Sequence, residues 1–256
     1  MKVFRRVPSF YPEGVPPSPI CLFEADVGIN VPVGGLIGQW NDQSGNARHM
    51  TAAGAARPTF RIEDDQLPYV ECPTGAEFMF FTGMPAYVDT ALSLYLVGRP
   101  YTFPSLAASK LCSLGRAGVV PGTGAGTFCI QKNGGNLVQE FRREGLSQQV
   151  YSNPGGSGQM LGEWYLFSMR AGLVRSGTQG VTRYQTNNFP WTIHALPAWN
   201  FTGFSVGAGI SNVLDGNPMI CDIRHFSVFP TMHDDATYKN FLRRLAHKWN
   251  VPGVID

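Results

Sequence analysis

The feature that most limits what this chain can become is its succession of short period-two stretches separated by turn residues. "ALSLYLVGR" sets Leu92, Leu94 and Leu96 against Ser93, Tyr95 and Val97, the pattern of a well-buried strand. "EFMFFTG", "GTFCIQKNGGNLVQEFRR", "EWYLFSMRAG", "GVTRYQTNN", "GFSVGAG" and "MICDIRHFSVF" read likewise. "KNGGN" at 132–136 is a tight hairpin turn, because Asn-Gly and Gly-Gly accept the positive φ values it needs. Hairpins that follow one another without intervening helices predict antiparallel sheets. About a dozen strands in roughly 215 residues is the scale of two stacked sheets around one core.

Helical spacing occurs convincingly once, in "TMHDDATYKNFLRRLAHKWN". Tyr238, Phe241, Leu242, Leu245 and Trp249 form an apolar stripe, with Lys239, Arg243, Arg244 and Lys248 mainly off it. Thr231 with Asp234 three later resembles a capping box, Asp234 and Asp235 suit the positive end of the helix, and Pro252 and Gly253 stop it. The expected helix spans about 232–250, with its basic side solvated.

At the other end, residues 1–20 hold Pro8, Pro12, Pro16, Pro17 and Pro19. Proline removes donors and fixes φ, so this segment is expected to be an extended arm rather than a helix or central strand. Phe4, Arg5, Arg6, Phe10 and Tyr11 are its candidate docking residues. Residues 21–256 are then expected to form a single β-sandwich domain closed by the helix.

Composition agrees with this reading and excludes several functions. With 30 Gly, 19 Pro and 15% charged residues, the 256-residue chain is turn-rich and poor in salt-bridged helices. A formal net charge of +2 offers no field for nucleic acid or an anionic membrane, and no apolar run reaches the length of a membrane span. No apolar stretch follows the basic residues near Met1, so no secretory leader is expected. Cys21, Cys72, Cys112, Cys129 and Cys221 are scattered and odd in number, which predicts free buried thiols.

Three segments carry a resemblance to a known family: "GLIGQWNDQSGNARHMTAAGAARPTF", "GEWYLFSMRAG", and the run from "FTGFSVGAG" to the closing "LAHKWNV". Together they resemble the concanavalin A-like, laminin-G-type jelly-roll sandwiches found in bacteriophage and bacterial surface proteins. The resemblance implies an all-β, two-sheet antiparallel jelly-roll sandwich with one C-terminal α-helix. It also implies a buried Trp40, with Asp42, Ser44 and Asn46 making side-chain to backbone turn bonds.

Chemistry is mostly missing from the sequence. Asp42, Ser44 and Asn46 begin like a calcium loop, but Ala47 and Ala53 stand where an EF-hand needs Gly and Glu, so no metal is expected. Glu24 and Asp26 share one strand face, yet Gly28 and Ile29 leave the second catalytic glutamate of a sandwich glycosidase absent. No nucleophile elbow occurs. "PGTGAGT" lacks the lysine of a phosphate loop. The five histidines are dispersed, and His225 reads as a hydrogen-bonded structural residue. No cofactor is expected.

The best candidate site is "RYQTNNFPWTIHALPAWNF", read as a long loop. Its Tyr184, Asn187, Asn188, Trp191, His194, Trp199 and Asn200 combine ring surface with amides, which suits either sugars or a protein interface. The leading expectation is a non-enzymatic virion structural protein, a phage capsid decoration or tail-associated module. It would be made in the host cytoplasm, form a homo-oligomer and bind other virion proteins through its arm and loops. The alternative is a lectin-like module for host-surface glycans, with a glycan-cleaving enzyme third.

Overall fold

The computed structural model describes residues 18–89, 91–102, 110–115, 127–133, 136–142, 149–152, 162–171, 176–182, 189–192, 199–208 and 219–252. Its strands are β1 (Cys21–Glu24), β2 (Gln39–Trp40), β3 (Met50–Thr51), β4 (Thr59–Ile62), β5 (Pro68–Cys72), β6 (Met79–Asp89), β7 (Leu92–Thr102) and β8 (Lys110–Gly115). They continue as β9 (Thr127–Asn133), β10 (Asn136–Arg142), β11 (Gln149–Ser152), β12 (Tyr165–Ala171), β13 (Ser176–Thr182), β14 (Phe189–Thr192), β15 (Trp199–Val206) and β16 (Ile220–Phe229). The helix α1 (Asp235–Lys248) follows.

Two eight-stranded antiparallel sheets result, as the period-two stretches predict. The first runs β14-β13-β12-β7-β16-β5-β4 with β1 also on β16, and the second runs β11-β10-β9-β8-β15-β6-β3-β2. On the side of β16 away from β7, β5 pairs with Cys221–Ile223 and β1 with His225–Val228. β9 and β10, which flank the glycines of "KNGGN", pair antiparallel with Asn133 opposite Asn136.

Aromatic rings bridge the two sheets. Phe23 of β1 and Phe226 of β16 lie 5.5 and 6.0 Å from Phe204 of β15, ring centre to ring centre. Leu92, Leu94 and Leu96 are fully buried, and so are Tyr95 and Val97 on the opposite face, because α1 covers part of that face. Tyr238 of the helix meets Ser168 of β12 hydroxyl to hydroxyl at 2.6 Å, while Phe241 packs on Tyr95 and Phe229. Cys21, Cys72 and Cys221 are free and buried, and Cys112 is buried.

The helix is shorter than its sequence suggests. Asp234, in an extended conformation, is the N-cap, and its Oδ1 accepts from the Thr237 amide at 2.7 Å. Thr231 takes no part in a capping box; its carbonyl accepts from Ser93 Oγ at 2.8 Å, and the same hydroxyl accepts from the His233 amide. That hydroxyl holds the chain extended before the helix begins. At the other end Asn250 has φ 50, Val251 N–H reaches Ala246 O at 2.9 Å, and buried Val251 completes a Schellman stop. Lys239, Arg243 and Arg244 are exposed as expected. Lys248 departs from the solvated face, with Nζ 2.8 Å from Glu24 Oε1 and 3.2 Å from Asp26 Oδ2.

Candidate functional site

The polar segment after Trp40 resolves into a packed turn. Trp40 is fully buried and its Nε1 donates to Glu24 O at 3.1 Å. Asp42 Oδ1 accepts from the Leu22 and Ser44 amides, and Oδ2 accepts from Ser44 Oγ and the Arg48 amide. Asn46 Nδ2 donates to Pro19 O and Ile20 O. Every Asp42 oxygen thus faces donors, the arrangement of a turn rather than of a cation cage. Among the described residues no group of three or more His, Cys, Asp or Glu could hold a metal ion.

Glu24 and Asp26 are likewise committed. Burial pushes Glu24 up, but His225 and the Lys248 ammonium outweigh it and hold its carboxyl down to about 2. His225, fully buried, has Nε2 2.8 Å from Ser227 Oγ and Nδ1 3.6 Å from Glu24 Oε1. Burial holds its pKa below the ordinary value against the pull of Glu24, so this is a structural histidine.

The segment 183–201 contributes a strand to each sheet. Trp191 stands in β14, an edge strand, opposite Gly177 of the first sheet. Trp199 and Asn200 stand in β15 of the second sheet, opposite Asp89 and Val88 of β6. One long loop is therefore incorrect: "FPWT" and "WNFTGFSV" have the aromatic and β-branched content of strands, and Pro190 is tolerated at an edge. Tyr184, Asn187, Asn188 and His194 lie outside the described residues, as do the arm residues Phe4, Arg5, Arg6, Phe10 and Tyr11.

A different constellation is built on the outer face of the first sheet, on the part α1 leaves open. Arg99 and Tyr101 project from β7, Asp222 from β16, Tyr69 and Glu71 from β5 and Arg61 from β4. Each of the pairs is spaced by two residues or faces its neighbour across the ladder, Arg99 opposite Asp222 and Asp222 opposite Glu71. The register of β16 slips between Ile223 and His225, and Arg224 is the extra residue. This bulge lets Arg224 join the same face.

Arg99 is the centre. Its Nε and Nη2 donate to Asp222 Oδ2 at 2.9 and 2.7 Å, and its Nη1 bonds Glu63. Its guanidinium lies 4.5, 5.0 and 5.4 Å from the ring centres of Trp164, Tyr101 and Tyr69. Tyr101 OH donates to the same Asp222 oxygen at 2.6 Å. Glu63, from the β4–β5 hairpin, also accepts from Trp164 Nε1 at 2.7 Å and from Arg224. The Arg224 guanidinium lies 4.0 Å from the Trp164 ring centre, and its Nη2 donates to both oxygens of Asp65 at 3.1 Å. Burial, opposed by Tyr101 and Arg99, lifts Asp222 to about 6, and Glu71 adds to the rise. Tyr69, Tyr101, Glu63 and Glu71 remain half-buried, so rings and carboxylates reach the surface together.

Comparison with solved structures adds a fold. The binding domain of Paraclostridial mosquitocidal protein 1 superposes with TM-score 0.61 at 9% identity, over 88% of this chain and 52% of that one. The binding domain of botulinum neurotoxin DC, in complex with SialylT, gives 0.59 at 12% identity, over 89% and 51%. The botulinum neurotoxin type G receptor-binding domain gives 0.56 at 8% identity, over 89% and 52%. The likeness is one of fold. The chain spans about half the length of these structures. No protein family and no curated protein matches it.

Proposed function

We propose that this chain is a non-catalytic, lectin-like module that binds glycans on a cell surface. The observation that carries the proposal is the open part of the outer face, where Tyr69, Tyr101 and Trp164 surround Arg99 beside Glu63, Glu71 and Asp222. Sugar recognition needs ring surface for C–H faces and polar groups for hydroxyls, held on rigid elements. Here both are mounted on the central strands of a sheet. Support comes from the fold it shares with domains whose role is binding, one of them solved with SialylT. Trp191, Trp199 and Asn200, with Tyr184, Asn187, Asn188 and His194, remain a second proposed contact.

A glycan array probed with the whole chain tests the reading. Binding that falls at least tenfold in Tyr69→Ala, with melting temperature kept, supports the outer face. Loss confined to Trp191→Ala or Trp199→Ala transfers the site to the second contact. No binding to any glycan overturns the proposal.

The virion reading is a separate proposal, favoured by the five prolines of residues 1–20 beside Phe4, Arg5, Arg6, Phe10 and Tyr11. It has this chain docked on neighbouring capsid or tail proteins as a homo-oligomer. Quantitative mass spectrometry of density-purified particles decides it: a fixed ratio to the shell protein supports it, and absence overturns it.

A further inference from the structure

We infer that the open part of the outer face takes an uncharged, hydroxyl-rich pyranose glycan and discriminates against a sialylated one. The inference rests on the carbohydrate reading and adds the charge class of the ligand.

Four carboxylates, Glu63, Asp65, Glu71 and Asp222, meet three guanidiniums, Arg61, Arg99 and Arg224. Burial divides them unequally. The Arg224 and Arg99 side chains are 0% and 11% exposed, whereas Glu63, Asp65 and Glu71 keep 27%, 26% and 24%. The Arg99 and Arg224 guanidiniums therefore lie beneath Glu63, Asp65 and Glu71, with Asp222 buried beside them at 1%. Arg61 is more open at 45%, but its Nε is already bonded to Glu71 at 2.7 Å.

A ligand descending on this face thus meets the acceptor oxygens of Glu63, Asp65 and Glu71, three carboxylates against the one open guanidinium of Arg61, flanked by the half-buried rings of Tyr69 and Tyr101. Pyranose hydroxyls are donors, and bonds to an ionised acceptor are about twice as strong as neutral ones. A sugar carboxylate has only acceptors to offer. Placed about 5 Å from Glu63 or Glu71, it would weaken binding by about tenfold or more through like-charge repulsion.

The test is an array at pH 7.5 carrying neutral oligosaccharides and the same cores capped with sialic acid, probed with the whole chain, Tyr69→Ala and Glu71→Gln. Expected is binding to neutral cores, at least tenfold weaker binding to their capped forms, and a discrimination reduced severalfold in Glu71→Gln. Glu71→Gln keeps the test available should Tyr69→Ala fail to fold, because its side chain reaches solvent. Equal or tighter binding of capped cores overturns the inference and leaves the carbohydrate reading standing. Discrimination unchanged in both variants overturns its assignment to this face. Binding to no glycan overturns the carbohydrate reading and the inference with it.

Discussion

Arg224 Nη1 donates to the backbone carbonyl of Trp249 at 2.7 Å, so the side chain that anchors one edge of the open outer face also holds the end of α1. The two halves of the outer face, one covered by the helix and one open, are joined at this residue. Its guanidinium is fully buried and bonds Glu63 and Asp65 as well.

Replacing Arg224 by Met removes one donor each from Glu63, Asp65 and the Trp249 carbonyl, while Glu63 keeps Arg99 and Trp164 and Asp65 keeps the Leu67 amide. Breaking a buried pair costs about 3–5 kcal/mol, and the partial exposure of Glu63 and Asp65 brings the expected loss to about 2–3 kcal/mol. Urea unfolding reads it. A loss below 0.5 kcal/mol, on the order of an ordinary surface change, would show that the network carries no stability.

Asp42→Ala removes the acceptor of the Leu22, Ser44 and Arg48 amides and should cost about 2–3 kcal/mol. Asp42→Asn keeps Oδ1 and should cost about half as much. Because both oxygens face donors, millimolar calcium should leave the melting temperature of the parent unchanged, whereas a bound ion would raise it with concentration. Differential scanning calorimetry separates these outcomes.

Stability should respond to acid through three groups, one of them opposed to the other two. Asp222, lifted by burial to about 6 from 3.8, binds its proton more tightly when folded, so its contribution increases as pH falls from 6 to 4. Glu24 is held at about 2 from 4.5, so the stability it adds is full above 4.5 and is lost as pH falls towards 2. His225, pushed below 6.5 by burial, resists charging and subtracts stability as pH falls past that value. The comparison with the parent isolates each term. Asp222→Asn should lose the gain between pH 6 and 4, and Glu24→Gln should flatten the loss below 4.5. Parallel stability curves for parent and variants would refute both assignments.

Gly207, in "VGAG", has φ +79, and a Cβ there would meet Glu77 O at 2.9 Å and Cys72 Sγ at 3.2 Å. Gly207→Ala should cost about 2–3 kcal/mol, the upper part of the range for a strained non-glycine residue. Gly45, at φ +87 with nothing within 4 Å, isolates the backbone term, and Gly45→Ala should cost about 1 kcal/mol. Equal losses would mean that the contact adds nothing.

Period-two alternation in "ALSLYLVGR" and "MICDIRHFSVF", the Asn-Gly-Gly turn and the single apolar stripe of the helix are local properties of neighbouring residues. The sequence by itself therefore determined the antiparallel sandwich, the closing helix and the turn bonds of Asp42. It also contained the site in fragments: Tyr69 with Glu71, Arg99 with Tyr101, and Asp222 are polar or aromatic residues on one face of otherwise apolar strands. What could not be read was that these fragments meet. Their meeting depends on β7, β16, β5 and β4 lying side by side although far apart in the chain, and on a bulge that turns Arg224 outward. The aromatic residues of 183–201 are close in sequence, yet Trp191 and Trp199 stand in different sheets. Strand order and register are set by the packing of the whole core, where each pairing is worth little alone, and only the tertiary structure decided them.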